Sequence, residues 1–143
     1  MTVFPTPIIR IHSLAGAQSA CRVMGHRPFS LLSGEYAALS SGAQWFGDLI
    51  TLVRDEFPDA DFMAILDCRG RVSSALVAIE IGLNGVIIDP LPDAQLSKLC
   101  DMSRQIGCDV IWNIDDLGRV IDMKDPQLPD HELDRRLRLQ TDC

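Results

Sequence analysis

Short apolar runs alternate with stretches of helical periodicity along this chain, and that alternation limits its fold more than any other feature. Ile8-Ile9-Arg10-Ile11-His12 reads as a first strand. Leu14, Ala17, Cys21 and Met24 then recur at helical spacing up to Gly25. Phe29 to Leu32 reads as a second strand, followed by a loop or short helical turn from Ser33 to Gly42. Phe46, Leu49, Ile50, Val53 and Phe57 form the apolar stripe of a helix from Ala43 to Phe57. Phe62 to Leu66 is a continuous apolar run, the pattern of a strand covered on both faces. Val72, Ala75, Leu76 and Ile79 mark a third helix, with Gly82 as its stop. Val86-Ile87-Ile88 follows the Asn84-Gly85 turn as a fourth strand. Leu96, Leu99, Cys100, Ser103 and Ile106 share one face of a helix between Asp93 and Gly107, and Val110 to Ile114 is a fifth strand.

Repeated strand-helix units need right-handed crossovers and therefore a parallel sheet. The expected fold is a single α/β domain over residues 1–123, with about five mainly parallel strands. The preferred strand order is flavodoxin-like, 2-1-3-4-5. The alternative is half of a (β/α)8 barrel, completed by a second subunit. The turn Asp115-Asp116-Leu117-Gly118 is expected to lead into an antiparallel edge strand over 119–123. Pro126, Pro129 and the charged segment from His131 to Leu139 set residues 124–143 apart as a C-terminal tail. It is expected to be docked, on the domain or on another copy of the chain, or else partly disordered.

At 143 residues and 47% hydrophobic, the chain is long enough for one real core. Its net charge of -7 makes nucleic acid and anionic membrane poor partners. Arg135, Arg136 and Arg138 sit among acidic residues and read as a solvated helix face. No apolar run approaches the ~20 residues of a membrane span, and Met1 to Pro7 does not read as a targeting segment. The five cysteines are odd in number and form no C-x-x-C pair, so reduced thiols and a cytoplasmic location are expected. No cofactor or metal is expected, since cysteines and histidines are not grouped at zinc-ligand spacings.

Parallel α/β sheets bind ligands outside the carboxyl ends of their strands. That rule selects His12 and Ser13, then Ser33, Gly34 and Glu35, then Asp67, Cys68 and Arg69, then Asp89, then Asn113, Asp115 and Asp116. The segment Leu66-Asp67-Cys68-Arg69-Gly70-Arg71 runs from a strand into a helix start. Asp67 has the chemistry of a general base or metal ligand, and Cys68 that of a thiolate activated by the helix end and the arginines. His12 is the histidine best placed to pair with Cys68, because strand one would lie beside strand three. His12, Asp67, Cys68 and Asp89 are the candidate catalytic set. Ser33, Glu35, Arg69 and Gly70 are the candidate ligand-binding set, suited to a small anion. Plainer roles stand beside these: Asp67 as a helix cap, Cys68 as a small buried hydrophobe, His12 as a hydrogen-bonded strand end. Glu35, Asp67, Asp89, Asp115 and Asp116 would make an oxygen-rich cation site if they converged, or solvated turns if they did not. The long Ser33–Gly42 connection, with Tyr36 and the following Trp45-Phe46, reads either as a binding wall or as an extra helical turn on the core.

Several mechanisms lack their residues. The two lysines, Lys98 and Lys124, end no strand, so a Schiff base has no amine. G-x-x-x-x-G-K-[ST], G-x-G-x-x-G after the first strand and G-x-S-x-G do not occur.

Residues 62 to 99, with "AIEIGLNG", "VIID" and "PLPDAQLSKL", resemble the second half of a response-regulator receiver domain. The resemblance implies a lysine where Asp89 stands, an acidic pair where His12-Ser13 stands, and three βα units before Phe62, for which the chain is too short. It supports the βαβα reading and not phosphotransfer. "LDCRGRVSSALVAIEIGLNGVIID" is also similar to the strand-helix-strand units of phosphate-binding (β/α) barrel enzymes. The function expected from all this is a small non-catalytic module for ligand binding, regulation or assembly, forming a homo-oligomer through its tail, with Trp45-Phe46 as a contact surface. The alternative is an enzyme acting on a small, phosphorylated or unphosphorylated metabolite.

Overall fold

The computed structural model describes residues 4–124 and 128–141. The parts of the tail at 125–127 and 142–143, including Pro126 and Cys143, lie outside the described residues. The chain forms a single α/β domain with a six-stranded, all-parallel sheet. In chain order the elements are β1 (Ile8–Arg10), α1 (Leu14–Met24), β2 (Phe29–Leu32), α2 (Ala37–Ser40), α3 (Ala43–Glu56), β3 (Phe62–Asp67), α4 (Ser73–Glu80), β4 (Gly85–Ile87), α5 (Asp93–Ile106), β5 (Asp109–Ile111), a 3-10 turn (Ile114–Leu117), β6 (Val120–Asp122) and α6 (Asp130–Thr141). Local chemistry sets many of these limits. Ser13 caps α1, its hydroxyl accepting from the Gly16 N–H at 3.3 Å. Gly107 stops α5 in the left-handed region, at φ 84°. The α3 stripe buries Phe46, Leu49, Ile50 and Val53, each worth roughly 1.5–3 kcal/mol of burial.

The strands lie in the order β5-β4-β3-β2-β1-β6. This corrects the flavodoxin-like order: β2 sits between β1 and β3 instead of outside them. Strand-helix alternation is common to both windings, so periodicity alone does not separate them. The five consecutive strands follow the barrel order. Residues 119–123 form no antiparallel edge either. The chain crosses to the far side of the sheet, and β6 pairs parallel to β1, Ile9 opposite Ile121.

That crossing has a geometric consequence. Strands stand ~4.8 Å apart, so a flat sheet of this width would separate its edges by ~24 Å. Residues 112–119 must bridge β5 to β6 and also return along the strand direction, with a 3-10 turn shortening them. An extended residue reaches only ~3.4 Å, so this connection has to take a nearly direct route across the inner face, where Leu117 is buried. The helices cover the sheet's outer face, side by side as α6, α1, α3, α4 and α5. The inner face closes over Ile8, Leu32, Ile65, Ile87 and Ile111, with Phe4 and Leu117 buried among them and Ile114 and Val120 packed against them. These residues are buried by the chain's own packing. On the outer face α6 lies along α1, burying Leu133 and Leu137 completely. Asp134 of α6 accepts hydrogen bonds from Ser19 and Arg22 of α1.

Candidate polar rim and cleft

Side chains of a strand alternate between faces. On the inner face the apolar rows give way, at the carboxyl ends, to charged residues. Arg10 is the last residue of β1 and only 5% exposed. Its Nε donates to the Ser33 carbonyl at 3.1 Å and its Nη1 to Glu35 Oε1 at 2.9 Å. Its Nη2 stands 3.8 Å from Asp67 Oδ2 and makes no hydrogen bond. Asp67 ends β3 and is fully buried. Its carboxylate accepts from the Arg69 backbone N–H at 3.1 Å, from Arg69 Nε, and from Arg69 Nη2 at 2.6 Å. The hydrogen bond to Asp67 raises the pKa of the Arg69 guanidinium. That guanidinium also lies 4.8 Å over the Tyr36 ring. The Asp67 backbone N–H donates to Ser33 Oγ at 2.8 Å, tying β3 to the end of β2.

Beside this network lies a histidine-carboxylate pair that the sequence reading missed. His12 Nε2 is 2.7 Å from Asp122 Oδ1, and the same oxygen accepts the Lys124 N–H at 2.9 Å. Burial works against ionising Asp122. The hydrogen bonds to His12 and Lys124, with the charges of His12 and Arg10, outweigh it and hold the carboxyl below its ordinary range. The His12 ring lies close over Gly34: a Cβ there would meet Nδ1 at 2.9 Å. Only glycine lets backbone and ring approach so closely. Tyr36, two residues on, adopts the left-handed region at φ 54°, ψ 29°, a conformation that costs a non-glycine residue roughly 1–2 kcal/mol. It turns the chain directly into α2.

A cleft of about 460 Å³ opens here. Ile11, His12, Gly34 and Glu35 form one wall with Asp122, and Ala37, Ser40, Ser41 and Trp45 form the other. The Ser33–Gly42 connection thus contributes both a wall and a short helix, with Ala37 and Ala38 buried. A second hollow, of about 470 Å³, lies on the far side of Asp122 between Met123, Lys124 and α6. The chain matches no family model and no curated protein. The meaning of the rim therefore rests on its own geometry.

The structure brings together only part of the expected set. Ser33, Glu35, Asp67 and Arg69 meet around Arg10, a residue the sequence reading passed over as part of a strand. His12 joins Asp122 instead of Cys68, because β2 separates β1 from β3. Cys68 follows Asp67 and so faces the other way, into the helix-side core. Burial pushes its thiol up to about 12, with Asp67 and Cys108 adding to the rise. An activated thiolate is the opposite of what this position provides. Asp89 accepts the Gly70 N–H at 2.8 Å, so a carboxylate of the chain itself occupies the amide offered for an anion. Asp115 and Asp116 lie in the 3-10 turn, where Asn113 Oδ1 caps the Asp115 N–H. Among the described residues, no three histidine, cysteine or carboxylate groups are placed to hold a metal ion. Of the aromatic pair, Phe46 is buried in the core, while Trp45 is exposed at the cleft. Arg10 had a signal in the sequence: one charge inside an otherwise apolar strand run.

Proposed function

We propose that this chain is a small-molecule binding module whose ligand sits in the cleft formed by His12, Gly34, Glu35, Ser40, Ser41, Trp45 and Asp122. The observation that carries the reading is the buried Arg10 network behind the cleft wall. Buried ion pairs are a poor source of stability, since desolvation offsets their attraction. An arginine nitrogen without a hydrogen bond costs more still. Such an arrangement is best accounted for by what it holds in place, and it holds Glu35 at the cleft. The volume suits a small ligand, as such sites run to roughly 300–1,000 Å³.

The electrostatics favour a ligand without negative charge. Among the described residues, Glu35 and Asp122 line the cleft, and no lysine or arginine does. Arg10 and Arg69 are each engaged by carboxylates. Arg69, expected to bind a small anion with Gly70, is held by Asp67, and the Gly70 N–H by Asp89. A second reading, as an enzyme, is favoured by one observation, the 2.7 Å His12–Asp122 contact.

Amide NMR of the full chain tests the binding reading. Small uncharged polar compounds are expected to shift Gly34, Glu35, Ser40, Ser41 and Asp122, and inorganic phosphate to leave them unmoved. Shifts confined to the Lys124–Arg136 hollow, or a response to phosphate at the cleft, would overturn it.

A further inference from the structure

We infer that the outward stripe of α4 is an interface at which two copies of this chain meet about a two-fold axis. None of its residues lines the cleft, so the inference stands or falls apart from the binding reading.

A helix laid on a sheet turns its large apolar side chains inward and its charges outward. In α4 the order of size is reversed. Ser74, Ala75 and Ala78 face the core with Ile79. Val72, Leu76, Val77 and Ile81 face outward, each between 36% and 41% exposed. They form two side-by-side pairs four residues apart, and so one continuous stripe. From Val72 to Ile79 no side chain is charged. The helices on either flank differ. Asp48, Asp55 and Glu56 of α3 are exposed, as are Lys98, Asp101 and Arg104 of α5. The patch continues past both ends of α4. A Cβ at Gly47 would meet Ile81 Cδ1 at 2.5 Å, so this glycine of α3 makes room for Ile81 against the neighbouring helix. At the other end exposed Leu39 lies beside Gly70, two residues before Val72. Contiguous apolar surface of this kind marks a contact site.

Charge decides the occupant. The chain carries -7 overall, so two copies repel over most of their surface. The stripe on α4 escapes this, because one charge of each sign bounds it, Arg71 before the helix and Glu80 at its end. Among the described residues neither side chain has an ion-pair partner. A two-fold axis beside Leu76 lays the two helices antiparallel, and the Arg71 of each copy then falls by the Glu80 of the other. Two opposite-charge pairs bracket an apolar centre, the usual division of an interface into core and rim. A partner carrying one sign of charge would meet a like charge here for every opposite one. A second copy presents both signs in reverse order. The tail offers less, since Leu133 and Leu137 of α6 are already buried on α1.

Sedimentation of the full chain over a range of concentrations is the test. A monomer–dimer equilibrium in the micromolar range is expected, as suits an interface built on one helix face. Leu76→Glu sets two carboxylates against each other at the axis and should raise the dimer Kd at least ~100-fold. Arg71→Glu alone, or Glu80→Arg alone, brings like charges together twice and should raise it ~10-fold. Both changes in one chain restore opposite pairs, so the Kd should return to within ~3-fold of the unaltered chain. That rescue separates contact from misfolding, and it keeps the test decisive if Leu76→Glu fails to fold. A monomer at every concentration up to ~1 mM would overturn the inference and leave the stripe to a different protein. A dimer indifferent to Leu76→Glu and to the single reversals would overturn it too, since the copies would then meet elsewhere. Single reversals that the double change does not rescue would overturn the two-fold pairing.

Discussion

On the outer face of the sheet, beneath the helices, lie Ile9, Leu31, Ala64, Leu66, Val86 and Cys68, all apolar and buried. On the inner face the same strands present Ile8, Leu32, Ile65 and Ile87, and then, at the carboxyl ends, Arg10 and Asp67. Both faces exclude water, but only one keeps charges. Neighbouring residues Asp67 and Cys68 show the contrast at its sharpest, since both are fully buried and they face opposite ways. One has two arginines around it. The other has only burial and nearby acidity, which suppress its ionisation. A packed core gains from uniform apolarity, whereas a charge survives burial only when its partners are fixed.

The comparison is sharpened most by reactivity at Cys68. A thiol moved from 9.0 to about 12 forms roughly 1,000-fold less thiolate at neutral pH. Iodoacetamide should therefore leave Cys68 unmodified in the folded chain and modify it once urea unfolds the protein. Peptide mass spectrometry reads this directly, and prompt native labelling would break the contrast. Next comes Asp67→Ala, which takes away the carboxylate of Arg69 and leaves buried Arg10 with only the more exposed Glu35 as counter-charge. Its expected cost is about 3–5 kcal/mol in urea unfolding, and a loss below ~1 kcal/mol would mean the rim is wetter than described. Leu66→Ala, one residue back and on the outer face, should cost about 3 kcal/mol through lost burial and a cavity. Its effect should be unchanged by pH.

Smaller effects follow where the charges are partly exposed. Asp134 ties α6 to Ser19 and Arg22 of α1. Asp134→Ala should cost about 1 kcal/mol, allowing for solvent screening, with hydrogen exchange rising in α6 first. Asp122 gives the smallest change. Its folded pKa lies below the ordinary 3.8, so its contribution is present above that value and fades as pH falls through the lowered one. Asp122→Asn should flatten this acid loss in thermal melts recorded below pH 4. An unchanged acid limb would remove the His12–Asp122 pair from the stability account.

Much of the local structure is legible in the sequence. The α3 stripe and the Gly107 stop follow from period and turn chemistry, and β2 spans the same four residues either way. The winding is harder to read, because singly and doubly wound sheets share the same alternation. Period two along each strand carries part of the missing information: Ile65 and Asp67 share one face, Leu66 and Cys68 the other. Taken strictly, it separates Cys68 from the rim. Asp122 is another matter. Its place beside His12 depends on the crossing from β5 to the far side of β1, a pairing between residues 110 positions apart. A short turn before a short strand looks like a hairpin in sequence, and nothing local to 112–122 marks the longer route to β1.

The central claim is that the rim charges are kept for the cleft and not for stability. The double variant Arg10→Met with Asp67→Leu, followed by urea unfolding and amide NMR titration with small uncharged compounds, tests it most directly. Removing both buried partners together leaves no unpaired charge inside, while Arg69 reaches solvent and Glu35 loses its anchor. The account predicts stability within about 1 kcal/mol of the unaltered chain and loss of the cleft shifts. A variant as unstable as Asp67→Ala that still binds through an unchanged cleft would contradict it.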